Sequence, residues 1–141
     1  MTRVAERFTV STNIVNPQIF GAVVRLARSG TPTGTLYVNL RNDSDGVPGT
    51  VLTTIGSIDV STLSTSFTDY NFTMSSPYSL TAGTPCWVTV EYSGGSSSNY
   101  VSTYQWSVGG HTRGYYTTSW NIETGQIAAQ VLSILFVRFH Q

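Results

Sequence analysis

Along this chain short apolar runs alternate with clusters of Gly, Pro, Ser, Asn and Asp, and no stretch carries the 3.6-residue period of an amphipathic helix. Within the runs the period is two. Over 35–41, Leu36, Val38 and Leu40 fall on one side and Tyr37, Asn39 and Arg41 on the other. Over 86–92, Cys86, Val88, Val90 and Tyr92 oppose Trp87, Thr89 and Glu91, and over 66–74 the expected inner face is Tyr70, Phe72 and Met74. Further strands are expected at 4–10, 19–27, 51–58, 100–107, 115–120 and 129–139, about nine in all. The breaks fall at 13–17, at the turn 29–34, at a loop over 42–49, and at the turn Ser75-Ser76-Pro77. A flexible Gly/Ser loop over 93–99, a loop over 109–114 and a turn over 123–126 complete the punctuation.

Strands joined without helices must pair mostly antiparallel, because parallel neighbours need crossovers of a dozen or more residues. Two packed sheets then bury both apolar faces. The expected architecture is all-β, a two-sheet antiparallel β-sandwich of the jelly-roll kind with eight to nine strands, forming one domain over 1–141. The last run breaks the alternation. Leu132, Ile134 and Phe136 are apolar on one face, and Leu135, Val137 and Phe139 on the other. A strand with water on one side should alternate, so Leu132, Ile134 and Phe136 are expected either under cover within the sandwich or in a subunit interface.

Charge adds mainly exclusions. Charged residues make up 10% of the chain, against about 25% in ordinary domains. All seven basic residues are Arg and none is Lys, which removes Schiff-base chemistry and a phosphate-binding loop with its Lys. Seven acids balance them. No basic tail or patch is visible, which argues against a nucleic-acid partner. Near-zero net charge gives little protection against self-association, so a homo-oligomer is expected. Cys86 is the lone cysteine and reads as a small buried hydrophobe. No apolar run is long enough for a membrane span, and the first ten residues lack the apolar core of a signal peptide.

Candidate chemistry is thin. Asn42-Asp43-Ser44-Asp45-Gly46 faintly suggests a calcium loop held by Asp43 and Asp45, but Leu52 stands where such a loop carries Glu. Otherwise no metal and no cofactor is expected. His111 and Arg113 lie in a glycine-rich segment that could meet an anion or a sugar. No Gly-x-Ser-x-Gly elbow is present. Glu91 with Glu123 or Asp69 could supply a glycosidase pair only if folding set them a suitable distance apart in a cleft. The aromatic residues are denser: Tyr92, Tyr100, Tyr104, Trp106, Tyr115, Tyr116 and Trp120 crowd one stretch. A face built from Tyr100, Tyr104, Trp106 and Trp120 would stack on sugar rings or pack on a partner if exposed, and would be core if buried.

The segments Arg7-Phe8-Thr9-Val10, Val23-Val24-Arg25-Leu26, Pro32-Thr33-Gly34-Thr35-Leu36, Asp45-Gly46-Val47-Pro48-Gly49-Thr50-Val51-Leu52 and Leu80-Thr81-Ala82-Gly83-Thr84-Pro85-Cys86-Trp87-Val88 follow one another in order. That order resembles a carbohydrate-binding-type jelly-roll domain found in phage tail fibres, virion accessory proteins and bacterial surface proteins. Cys86 replaces the aromatic residue usual before the Trp. The resemblance covers a little over half the chain and implies a module that is usually appended to other domains. Here it starts at its own Met1 with no enzyme attached, which shifts the expectation to a non-enzymatic bacteriophage virion protein. A capsid decoration or cement protein is expected, binding the major capsid protein or another virion protein as well as its own copies. It would be made in the host cytoplasm and located in the virion. The alternative is a carbohydrate-binding or receptor-binding tail module that takes a glycan on its Tyr/Trp face.

Overall fold

The computed structural model describes residues 2–103, 112–116, 120–124 and 137–139, with side chains described over 3–103. The strands are β1 (Thr2–Thr9), β2 (Pro17–Ser29), β3 (Thr35–Ser44), β4 (Val47–Asp59), β5 (Thr68–Ser79), β6 (Pro85–Tyr92), β7 (Tyr100–Thr103), β8 (Thr112–Tyr116), β9 (Trp120–Thr124) and β10 (Val137–Phe139). A 3-10 turn, Val60–Thr62, joins β4 to β5 and is capped by the Asp59 carboxylate. No helix among the described residues is long and apolar enough to cross a membrane.

Two antiparallel sheets form a β-sandwich, as the alternation predicts. One runs β4-β3-β6-β1-β8-β9. In the other, β2 pairs with β5 along one edge and with β10 and β7 along the other. β1 pairs with β6 and β8, β2 with β5, β7 and β10, and β3 with β4 and β6, all antiparallel. Between the sheets lie Leu36, Val38 and Leu40 of β3, Val88, Val90 and Tyr92 of β6, Ile19, Val24 and Leu26 of β2, and Phe72 of β5. Tyr70 and Met74 pack at the margin of this core, on the face expected of them.

Several boundaries differ from the sequence pattern, among them the expected loop over 109–114, where β8 begins at Thr112, and the expected turn over 123–126, where β9 runs to Thr124. The expected loop over 42–49 is instead a hairpin in which Ser44 pairs directly with Val47. Asp45 and Gly46 both take positive φ, +51° and +87°, the conformation of a type I′ turn, so two residues suffice to reverse the chain. Ser75-Ser76-Pro77 is no turn. The strand β5 continues through it in a bulge between the pairs Gly21–Thr73 and Ile19–Tyr78, and a proline is tolerated there because β5 has no second ladder partner among the described strands. The run expected at 115–120 divides between β8 and β9, which pair with each other. Of the run at 129–139, the described residues include only β10, which pairs with the start of β2.

Candidate functional site

The second face of the six-stranded sheet is where polar residues concentrate. Strand pairing lines them up in rows. Tyr37, Glu91, Arg3, Tyr116 and Trp120 occupy one row across β3, β6, β1, β8 and β9. Asn39, Thr89, Ala5 and Gly114 occupy the next, and Arg41, Trp87, Arg7 and Thr112 the one after. The alternation at 35–41 and 86–92 assigns these positions to the non-core side, where water would be expected. The centre of this face is dry instead: Trp87, Thr89 and Ala5 are 0% exposed and Glu91 8%, while Tyr37 at its margin is exposed.

A carboxylate in such a place costs several kcal/mol unless it is fully paired, and Glu91 is. Its Oε1 accepts from Arg41 Nη2 at 2.9 Å and meets Arg3 Nε at 3.0 Å. Its Oε2 accepts from Asn39 Nδ2 at 2.7 Å, Thr89 Oγ1 at 2.8 Å and Arg41 Nε at 3.1 Å. The supporting groups are held in turn. Thr54 Oγ1 donates to Asn39 Oδ1, and Arg41 Nη1 donates to the Gly49 carbonyl. One acid thereby ties β1, β3, β4 and β6 together. Burial pushes the Glu91 carboxyl up, but the hydrogen bonds from Arg41, Asn39 and Thr89 and the Arg41 charge outweigh it and hold the group below its ordinary range.

A second knot sits two rows from Glu91. Trp87 Nε1 donates to Asp43 Oδ1 at 2.8 Å, and the Arg7 guanidinium lies 5.7 Å from the centre of the indole ring. The other Asp43 oxygen accepts from the Gly46 backbone N–H. Asp43 is therefore spent on the hairpin and on Trp87, while Asp45 stands in the reversing turn. Among the described residues no three His, Cys, Asp or Glu stand close enough together to hold a metal ion.

The carboxylates considered for glycosidase chemistry do not come together. Asp69 lies on β5 in the other sheet, exposed and 3.4 Å from Arg25. Glu123 is a register neighbour of Arg113, which itself stands opposite Glu6 of β1. Cys86 faces the sandwich core, and burial first, then the Asp43 charge, push its thiol up.

Of the residues expected to bind a ligand, Tyr100 begins β7 and is 42% exposed. Arg113 and Trp120 are placed by register in β8 and β9. Tyr104, Trp106 and His111 lie outside the described residues, as do the interface candidates Leu132, Ile134 and Phe136. Sequence reasoning missed the Glu91 cluster because its members are far apart in the chain. The available signal was that three strands each offered an ionisable residue on the same non-core face.

A cleft of about 320 Å³ opens at one end of the sandwich, between the turn 30–34 and the loop 93–99. Thr31, Pro32, Thr33, Tyr92, Ser96 and Asn99 line it together with Gly94 and Gly95. Hydrogen bonds tie the loop to its neighbours. Asn99 Oδ1 accepts from the Thr31 backbone N–H at 2.8 Å, Ser96 N–H bonds the Asn99 carbonyl at 2.8 Å, and Tyr92 Oη donates to the Thr33 carbonyl at 2.7 Å. No known family model, curated protein or solved structure matches this chain.

Proposed function

We propose that this chain is a non-enzymatic structural protein of a bacteriophage virion, a decoration protein that binds the capsid shell and its own copies. The observation that supports it best is how four of its seven acids are used. Glu91 is clamped by two arginines, Asp43 holds Trp87 and a hairpin, Asp59 caps the 3-10 turn, and Asp69 pairs with Arg25. General acid–base work needs a carboxyl that can change protonation near its working pH, and Glu91, with its pKa held down, stays ionised there. These four groups serve rigidity, which suits a part that must keep its shape inside an assembly. Composition agrees: Arg, Tyr and Trp without Lys is the chemistry of protein–protein contact surfaces.

The irregular edges bear on how it would bind. β4 carries three register shifts against β3, and β5 carries the bulge at Ser75-Ser76-Pro77. Such edges resist strand addition, so contacts with the shell at β4 and β5 run through side-chain surfaces and not through a continued sheet. Light scattering on the purified chain, with co-sedimentation on shells of the phage that encodes it, tests the proposal. Multimers or shell-bound protein are expected. A stable monomer that stays in the supernatant overturns it.

A further inference from the structure

The outer face of the smaller sheet, turned away from the sandwich core, has no part in the Glu91 brace. Its members follow from register. Ala22, Val24 and Phe72 lie in the core. The alternate pairs Gly21–Thr73, Val23–Asn71 and Arg25–Asp69 therefore stand on the opposite side. The two strands differ in height there. On β2 the pairs offer a glycine and a valine, and Val23 is only 5% exposed between its neighbours. On β5 they offer Asn71 and Thr73, both exposed. A low strip thus runs beside a raised one.

One ion pair interrupts this neutral surface. Arg25 and Asp69 meet at 3.4 Å, with side chains 43% and 57% exposed. A pair so exposed adds little to the stability of the chain that carries it. Among the described side chains that β2, β5 and β7 turn to this side, no other is charged. Opposite charges one strand apart are self-complementary. A two-fold axis running along the strands, between β2 and β5, sets each Arg25 over the Asp69 of another copy. The same axis lays the raised Asn71 and Thr73 of each copy over the low Val23 and Gly21 of the other. Charge and relief match under one symmetry operation. The short side chains let two sheets approach to about 10 Å, the spacing of packed sheets.

We propose that this face joins two copies of the chain, sheet against sheet, about that axis. The overlap of β2 and β5 with their counterparts is about 10 Å wide and about 40 Å long. That is smaller than the about 800 Å² per partner of a standard interface, so the dimer is weak and reversible in solution. The exposed ion pairs fix its register and steer the encounter. The inference names the surface for the contacts between copies and rests on that part of the proposed function. Binding to a shell does not depend on it.

Sedimentation equilibrium over a wide concentration range, beside co-sedimentation with shells, tests it. The parent should dimerise reversibly, and less at high salt. Asp69→Arg and Arg25→Glu each bring like charges together across the axis. Each should weaken self-association by about tenfold or more, with a far-UV spectrum and Tm close to the parent's. Mixing the two variants should restore dimers of one chain of each kind, because every acid then faces an arginine of the other chain. The double variant should dimerise by itself. Single variants that dimerise as the parent does, or a mixture that stays monomeric, overturn the inference. So does a parent that is monomeric at every concentration, while co-sedimentation with shells still decides the virion role. Loss of shell binding in the single variants with dimerisation intact assigns the face to a shell protein and likewise overturns it.

Discussion

The two faces of β6 reach the same dryness by opposite chemistry. Toward the second sheet, Val88, Val90 and Tyr92 are buried among Leu36, Leu40, Val24 and Leu26, where stability scales with apolar area removed from water. On the other face Trp87, Thr89 and Glu91 are as deeply buried, and their neighbours are Arg3, Arg7, Asn39 and Arg41. The apolar face tolerates exchange among residues of similar shape. The polar face does not, because each group there is satisfied by one particular partner. The first face makes the chain a sandwich. The second pins β1, β3 and β6 to a single register, since a one-residue slip would carry Glu91 away from both arginines.

The comparison is broken most severely at Glu91. Glu91→Ala leaves Arg3 and Arg41 without their shared acid and should cost about 3–5 kcal/mol in denaturant unfolding. On the apolar face Leu40→Ala should cost about 2–5 kcal/mol through lost contacts and a cavity. The two are separated by Leu40→Met, expected to cost under about 1.5 kcal/mol, against Glu91→Gln, which keeps the shape but removes the charge and should cost more. Trp87→Phe, which strands Asp43 without its indole donor, should cost about 1–3 kcal/mol. The smallest effect belongs to the exposed pair Arg25–Asp69: Arg25→Ala should change stability by less than about 1 kcal/mol and lose even that in high salt.

The pH dependence separates the faces in another way. Glu91 has a folded pKa below the ordinary glutamate value of 4.5. The unfolded chain therefore binds a proton first, and the stability from the brace is complete above that value and is lost as pH falls through the lower folded one. Thermal unfolding followed down the acid limb should show this loss in the parent and a flatter limb in Glu91→Gln. Leu40→Met should keep the parental slope. Cys86, on the apolar face with its thiol pushed up by burial, should resist thiol reagents at pH 8 until the chain unfolds.

The apolar face was legible in the sequence almost residue by residue, because alternation is a local signal: Leu36, Val38, Leu40, Cys86, Val88, Val90 and Tyr92 all fall where the period of two puts them. The Asp45-Gly46 hairpin was missed: Asp-Gly between strands is a type I′ signal, but the polar residues around it read as a loop over 42–49. Ser75-Ser76-Pro77 misled because a bulge in an edge strand uses the same residues as a turn. The polar face was not legible. Asn39, Arg41, Thr89 and Glu91 have the composition of a solvated surface, and only the pairing of β3, β6 and β1, from distant parts of the chain, shows that they neutralise one another. The cleft was hidden for a similar reason. Over 93–99 the chain has a linker's composition, while the bonds from Asn99 and Ser96 that fix it are tertiary or depend on one loop conformation.

The account rests on Glu91 being a permanently ionised brace and not a group that exchanges protons in use. Titration of its side-chain carboxyl carbon by NMR, assigned by comparison with Glu91→Gln, measures this directly. The account predicts a midpoint below 4.5 in the folded protein. A midpoint at or above that value would contradict it and would return Glu91 to the set of possible catalytic acids.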